Sequence, residues 1–472
     1  MKVIKNLANW FEDRTGLVAA MQIPATHPVP KNKGWSWYYV LGSATLVSFL
    51  IQVFTGTLLS LSYIPSSSQA YQTLQFITHD AFFGRILRGM HFFGASAMIL
   101  LMGLHMIRTF LMASYKYPRE VSWMSGVFLL FLTIGMGFTG QLLRWDQNAI
   151  WSVVVGVEQA ARVPLIGKSL AHFMLGGDVL GGATLSRFYS MHVFFLPGII
   201  YGLIGLHLFL VVRNGISDRP RRGNPVDPAT YREEYHSLLK KEGEPFWPNA
   251  AWKDVVFGSI VVLSIVALAI AFGPPEIGLP PDPTLIHAQP RPDWYLLWYY
   301  AVLSLLPHAS ETFVIVLGPV IFAVLIFILP LISNRGERHP ARRPWAVATV
   351  LATVALIASF TVAGYYANWS PDFNPKPIPA SVIASQDPKI IGGAHLFFAK
   401  ACINCHQISG NGGKRGPDLS LVAERLNHDE LVIRIVNGGY NMPPFGPTLK
   451  PQDLSDIVSF LESRKRNTPN QE

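Results

Sequence analysis

Only two cysteines, Cys402 and Cys405, occur in the 472 residues of this chain. So few thiols exclude a disulfide-stapled scaffold, and they exclude an iron–sulfur cluster held by four thiolates of this chain. Charge is scarce as well. Asp, Glu, Lys and Arg make up 14% of the residues and half of the chain is hydrophobic, against the roughly 25% charge of ordinary soluble domains. Acidic residues are outnumbered by basic ones, 29 to 38. No internal repeat, phosphate-cradling glycine loop or nucleophile–base triad stands out, so the chemistry is expected to be that of cofactors. The first 34 residues mix Lys, Arg, Asp and Glu and lack a short apolar core, so no cleavable signal peptide is expected.

What the chain does have is long apolar runs. Seven segments, approximately 37–61, 89–110, 123–143, 188–212, 254–272, 311–333 and 345–367, are each near the length a bilayer requires. Basic residues cluster in alternate connections. Lys2, Lys5, Arg14, Lys31 and Lys33 precede the first span, and Arg108, Lys116 and Arg119 lie between the second and third. Arg213, Arg219, Arg221, Arg222, Arg232, Lys240, Lys241 and Lys253 fill the fourth connection; Arg335, Arg338, Arg342 and Arg343 fill the sixth. The other connections hold few, and the first has none before Arg85. This pattern accounts for the net charge of +9 without nucleic acid. By the positive-inside rule it puts the N-terminus in the cytoplasm and, after seven crossings, the C-terminus outside.

Two of these spans carry paired histidines, His91 and His105 in one, His192 and His207 in the other. Either pair is separated by roughly 21 to 23 Å along a helix. Ionisable side chains in lipid need partners, and two haem irons, each clamped by one histidine from either span, would supply them at two depths. A single intramembrane histidine can instead hydrogen-bond a neighbouring helix; a matched quartet fits that reading poorly. The flanking spans repeat the interval. Gly42 and Gly56 are 14 residues apart, as are Gly126 and Gly140 and as are His91 and His105. Glycine lets a flat macrocycle approach the backbone; close packing of small residues between helices is the alternative.

After residue 368 the sequence changes to a Pro-rich stretch, Pro371, Pro375, Pro377 and Pro379, read as a stiff linker. Beyond it stands Cys402-Ile403-Asn404-Cys405-His406, the attachment box of a covalent c haem with His406 as axial ligand. The alternative, half of a zinc site, lacks a second cysteine pair. Met442, in Asn441-Met442-Pro443-Pro444-Phe445, is the best thioether ligand, with core filler as the alternative. Helices are expected over Gly392–Lys400 and Gln452–Arg464. Covalent haem attachment on the outer side agrees with the topology deduced from charge.

At these residues the chain resembles the cytochrome b subunit of quinol:cytochrome c (or plastocyanin) oxidoreductases, fused to a small class I cytochrome c. The motifs are Arg88-Gly89-Met90-His91, His105-Met106-Ile107-Arg108, Lys116-Tyr117-Pro118-Arg119-Glu120, Trp145-Asp146-Gln147, Arg187-Phe188-Tyr189-Ser190-Met191-His192 and Pro292-Asp293-Trp294-Tyr295. The resemblance implies an all-α fold, a dihaem four-helix domain over 1–245, a three-helix membrane domain over 246–370, a linker over 371–389 and a cytochrome c domain over 390–466. It implies that His91 pairs with His192 around an outer b haem and His105 with His207 around an inner one. Arg88, Arg108 and Arg187 would face haem propionates, or snorkel to the interface. Asp293 and Tyr295 would handle quinol protons, while Trp294 takes part or only anchors the loop at the interface.

The second histidine pair is spaced by 15 residues, unlike the first pair's 14, and this resembles the chloroplast-type branch. Helix tilt or a π-bulge could absorb the difference. Two departures stand out. Val40 occupies the position where many chloroplast-type relatives carry a cysteine for an extra covalent haem, which is therefore not expected. Asp293 replaces the usual Glu, as in relatives that use low-potential quinols such as menaquinone. The activity implied is bifurcated quinol oxidation at the outer face of a bacterial cytoplasmic membrane, with quinone reduction at the inner face and proton translocation. The implied partners are a separate Rieske iron–sulfur protein, quinol and quinone, a cytochrome c or similar acceptor, and a second copy of the complex. The competing readings are a dihaem anchor without bifurcation and a transporter that binds no haem.

Overall fold

In the computed structural model, the described residues are 27–282, 291–306, 308–366, 376–413, 416–438, 442, 444–446 and 448–466, with scattered positions before 27. Seven helices are long and apolar enough to cross a membrane: Ser36–Ser60, Gly84–Leu111, Glu120–Leu142, Gly182–Asn214, Trp252–Ala271, Ser310–Ile332 and Pro344–Tyr366. These are spans one to seven, and each matches an expected segment. Spans two and four start earlier than hydropathy suggests, because polar turns such as Gly182–Ser190 continue the helix beyond its apolar part.

Span one packs along span two, span three along span four, and span five lies against spans one and two. Phe49, Met98 and Ile200 form a buried cluster with Leu132 and Met136. Each of the first three sits midway between the two histidine levels of its span or between the paired glycines, so this cluster is the apolar floor separating two sites. Span six packs on span three, and span seven on the short helix Leu297–Leu305. Large apolar side chains such as Phe322, Leu325, Leu351 and Val354 remain exposed on spans six and seven. A bilayer is the solvent such a surface requires.

Span four is not a uniform α-helix. Met191–Phe195 forms a π-helical turn that contains His192. A π turn holds one residue more than the α turn it replaces. The 15-residue spacing of His192 and His207 is thereby reconciled with the 14 of the first pair.

The basic connections have a structural use. Spans two, four and six all end at the His105/His207 end of the bundle, where their last carbonyls are unsatisfied. Arg343 donates to Phe110 O and Leu111 O at 2.9 and 3.0 Å. Arg119 donates to Asn214 O and Gly215 O at 3.2 and 2.8 Å, and Lys116 to Ser333 O at 2.9 Å. Each cation also meets the negative end of a helix dipole. Arg338 and Asp218 form a buried ion pair at 2.5 Å in the same layer.

Amphipathic helices that a search for spanning segments passes over cover the other end. They are Ala70–His79, Gln147–Ala161 and Gly167–Leu175. Val153, Val157, Ala171 and Leu175 close a core there with Leu142 and Phe188.

The C-terminal unit is built on helices Pro388–Ala399 and Pro451–Glu462, near the two expected positions, with His428–Asn437 against the second. The first two cross so closely that a Cβ on Gly393 would stand 2.0 Å from Asp456 O. Phe397, Ile403, Ile408, Ile457 and Phe460 fill the core. Residues 367–375, which include the first five of the linker expected over 371–389, lie outside the described residues.

Candidate functional site

The four intramembrane histidines meet in two pairs. The rings of His91 and His192 have centroids 6.3 Å apart and planes at 80°. Two imidazoles on opposite sides of one metal, at bonds of about 2.0 Å, require centroids roughly 6 Å apart. His105 and His207 lie within electrostatic range of each other one level away. The glycines face these rings. A Cβ on Gly56 would lie 3.1 Å from His91 Cε1, on Gly140 2.6 Å from His192 Cε1, on Gly42 3.1 Å from His105 Cε1, and on Gly126 3.6 Å from His207 Cε1. Glycine at these points thus leaves room for the imidazoles themselves, in addition to any macrocycle.

Behind three rings stands a hydroxyl that the sequence reading missed. Thr55 Oγ1 is 2.9 Å from His91 Nδ1, Thr139 Oγ1 3.2 Å from His192 Nδ1, and Ser125 Oγ 2.9 Å from His207 Nδ1. The available signal was a Ser or Thr immediately before three of the four spaced glycines. Such partners orient a ligand and leave Nε2 to the metal.

The three arginines differ. Arg108 stacks on Tyr39 at 3.6 Å, and its Nε and Nη2 are buried with no hydrogen-bond partner. A buried cation with unused donors fits a carboxylate group such as a haem propionate. Arg88 is already engaged by Thr78 Oγ1 at 3.1 Å and Pro275 O at 2.9 Å. Arg187 lies over the Phe173 ring at 5.1 Å and donates to Phe173 O.

At the His91/His192 end, Pro292, Asp293, Trp294 and Tyr295 lead into the Leu297–Leu305 helix. Trp294 Nε1 donates to Ser96 Oγ at 3.2 Å, which ties this segment to span two. Tyr295 inserts against span three, where a Cβ on Gly137 would stand 2.7 Å from its hydroxyl oxygen. That hydroxyl is buried and lies within electrostatic reach of the Asp293 carboxylate, without a well-aligned hydrogen bond to any described group. Burial raises the pKa of Asp293; Arg144 opposes this and Asp146 adds to it. Burial, then Asp293, raises that of Tyr295. Asp146 caps the Gln147–Ala161 helix through Ala149 N at 2.9 Å, accepts from Gly278 N at 3.1 Å and pairs with Arg144 at 3.7 Å. The Trp145-Asp146-Gln147 turn therefore anchors the loop that leads towards Asp293.

In the C-terminal unit, Cys402 and Cys405 flank a single 3-10 turn. His406 Nδ1 donates to Pro417 O at 2.9 Å, and a Cβ on Gly416 would meet the ring at 2.5 Å. Burial lowers the pKa of His406, although the Pro417 bond works the other way, and because that bond uses Nδ1 it is Nε2 that would meet a metal. Met442 packs on the core of this unit; Asn441 and Pro443 lie outside the described residues. Gly416-Pro417 was not singled out from sequence, although a Gly-Pro pair shortly after the attachment box was there to be read.

The comparisons with known proteins agree with this geometry. The family described as Cytochrome b(N-terminal)/b6/petB matches residues 96–280, Cytochrome b(C-terminal)/b6/petD residues 280–377, and Cytochrome C oxidase, cbb3-type, subunit III residues 391–461. The menaquinol:cytochrome c reductase cytochrome b subunit of Bacillus subtilis is 35% identical over 221 residues, 46% of this chain and 99% of that protein. The chain belongs to the cytochrome b family. This cytochrome b is also similar to the cytochrome bc complex cytochrome b subunit of Chlorobaculum thiosulfatiphilum, at 32% identity over 74% of the chain and 79% of the relative. A solved chain of a hyperthermophilic respiratory Complex III superposes with a TM-score of 0.62 at 27% identity, covering 76% of this chain and 91% of that one. The molecule is a fusion of cytochrome b with a cytochrome c domain, a haem-binding membrane electron-transport subunit of a quinol:cytochrome c oxidoreductase.

Proposed function

We propose that this cytochrome b carries out bifurcated quinol oxidation, with Asp293 and Tyr295 receiving the quinol protons at the His91/His192 end, which faces outward. The observation that carries this reading is the opposed His91–His192 pair at 6.3 Å, with a buried Tyr295 hydroxyl and the Asp293 carboxyl together at the same end of the bundle. Two non-covalent b haems, on His91/His192 and His105/His207, and one covalent c haem on Cys402, Cys405, His406 and Met442 supply one-electron transfer when bound. Arg108 neutralises a propionate of the inner one. One electron from quinol leaves through a separate Rieske iron–sulfur partner towards the c domain; the other crosses the bilayer and reduces quinone near the cytoplasmic face, which contributes to proton translocation. The relatives named for menaquinol and the shorter Asp293 carboxylate favour a low-potential quinol. The domain limits at 245, 370 and 389, a bacterial cytoplasmic membrane and a dimeric complex complete the proposal.

The test is oxidant-induced reduction. With quinol present and quinone reduction at the inner face inhibited, a pulse of oxidant to the c branch should transiently reduce the b haems, seen as a rise in their reduced-state absorbance. A dihaem anchor without bifurcation would show b oxidation instead.

A further inference from the structure

The hydroxyls behind the histidines carry more than position. Thr55, Thr139 and Ser125 are 0%, 3% and 5% exposed. Each hydroxyl has one proton, and in each case a carbonyl about one turn back stands ready to take it. Thr55 donates to Ile51 O at 2.7 Å, Thr139 to Gly135 O at 2.9 Å and Ser125 to Ser122 O at 2.9 Å. Towards the imidazole the oxygen can then only accept. The nitrogen facing it must be Nδ1–H, which leaves the Nε2 lone pair for a metal.

The fourth position breaks the pattern. Leu41 precedes Gly42, and the His105 ring has no hydrogen-bond partner among the described residues. The ring is otherwise placed like that of His91, since a Cβ on Gly42 or on Gly56 would stand 3.1 Å from the facing Cε1. An acceptor on Nδ1–H makes the imidazole a more basic ligand, which favours the oxidised metal. The His91/His192 pair has two such hydroxyls, and the His105/His207 pair has one.

We propose that Thr55, Thr139 and Ser125 are positioning residues that fix the ligand tautomer, and that the hydroxyl absent at Leu41 helps set the His105/His207 haem at the higher potential. An electron arriving at the His91/His192 level is thereby drawn across the membrane. This inference rests on the haem assignments proposed above.

The test is a redox titration of the b absorbance in the purified complex. Thr55→Val should raise the potential of one b haem, by about 59 mV if the lost bond is worth tenfold in a one-electron equilibrium. Thr55→Ser should restore the wild-type value, which a purely packing role for the methyl group would not. Leu41→Ser adds the missing acceptor and should lower the potential of the other b haem, which narrows the gap. Unchanged potentials in Thr55→Val and Leu41→Ser, with haem content intact, would overturn the inference. If Thr55→Val fails to load haem, Leu41→Ser decides alone: no downward shift overturns it. A wild-type complex without extractable b haem refutes the proposed function first, so the two failures are distinguishable.

Discussion

At Gly140 one methyl group decides whether His192 fits. A Cβ there would stand 2.6 Å from the ring, at Gly42 and Gly56 3.1 Å, and at Gly126 3.6 Å, which is ordinary contact. Alanine substitution should therefore cost b-haem occupancy in the order Gly140 first, Gly42 and Gly56 next, Gly126 least, as read from the haem-to-protein ratio of purified variants. Equal losses at all four would show that the glycines face something other than the rings. Asp293 makes a pH prediction. Its pKa is raised, chiefly by burial. Such a carboxyl must be ionised to accept a proton, so quinol oxidation should fall as pH drops through a value above the usual aspartate range. Asp293→Asn should lower quinol oxidation by about 10²–10⁴-fold and remove that limb of the pH profile. Stability runs the other way: the raised pKa favours the fold at low pH, and this is lost as pH rises through it. The histidines, spaced glycines and attachment box could be read from sequence because histidine and cysteine are scarce here, 14 and 2 residues, and the glycines repeat the histidine interval. Thr55, Thr139, Ser125 and Pro417 left only a faint trace, a hydroxyl before three of the glycines and a Gly-Pro pair after the box, because hydroxyls and carbonyls are common and only the folded chain shows which of them faces a ring.

Among the elements, the π-helical turn at Met191–Phe195 makes the sharpest prediction. Its extra residue is absorbed locally. Deleting Val193 should convert the turn to α-helix and leave both histidine levels occupied. Deleting Leu203, between the turn and His207, rotates the two histidines by about 100° relative to each other and should empty one b site. Visible spectra of the two deletions decide: equal loss would mean that the turn absorbs nothing. The spans themselves were plain in the hydropathy. The covering helices Ala70–His79, Gln147–Ala161 and Gly167–Leu175 were not, since a short amphipathic helix declares itself only by the surface it packs on. The basic connections carried two messages at once. Arg343, Arg119 and Lys116 mark one side of the membrane by charge, and they also satisfy the C-terminal carbonyls of spans two, four and six, a contact that composition alone does not reveal.

For the molecule as a whole, the electron path proposed through the seven spans and the C-terminal unit takes its direction from where the proposed ligands sit. The His91/His192 level lies next to Asp293 and Tyr295, the His105/His207 level lies beside Arg108 and the basic connections, and Phe49, Met98 and Ile200 separate them. The expected all-α architecture of membrane bundle plus small C-terminal helical domain was legible because apolar runs and the change of composition after residue 368 set it directly. The central claim is that two opposed histidine pairs each hold a haem. Haem counting in the purified full-length chain tests it most directly. Two haems per chain should pass into acid acetone and one should stay covalently attached; His192→Leu and His207→Leu should each lose one of the extractable two. A chain that yields no extractable haem, or His192 and His207 variants that keep the wild-type count, would contradict it.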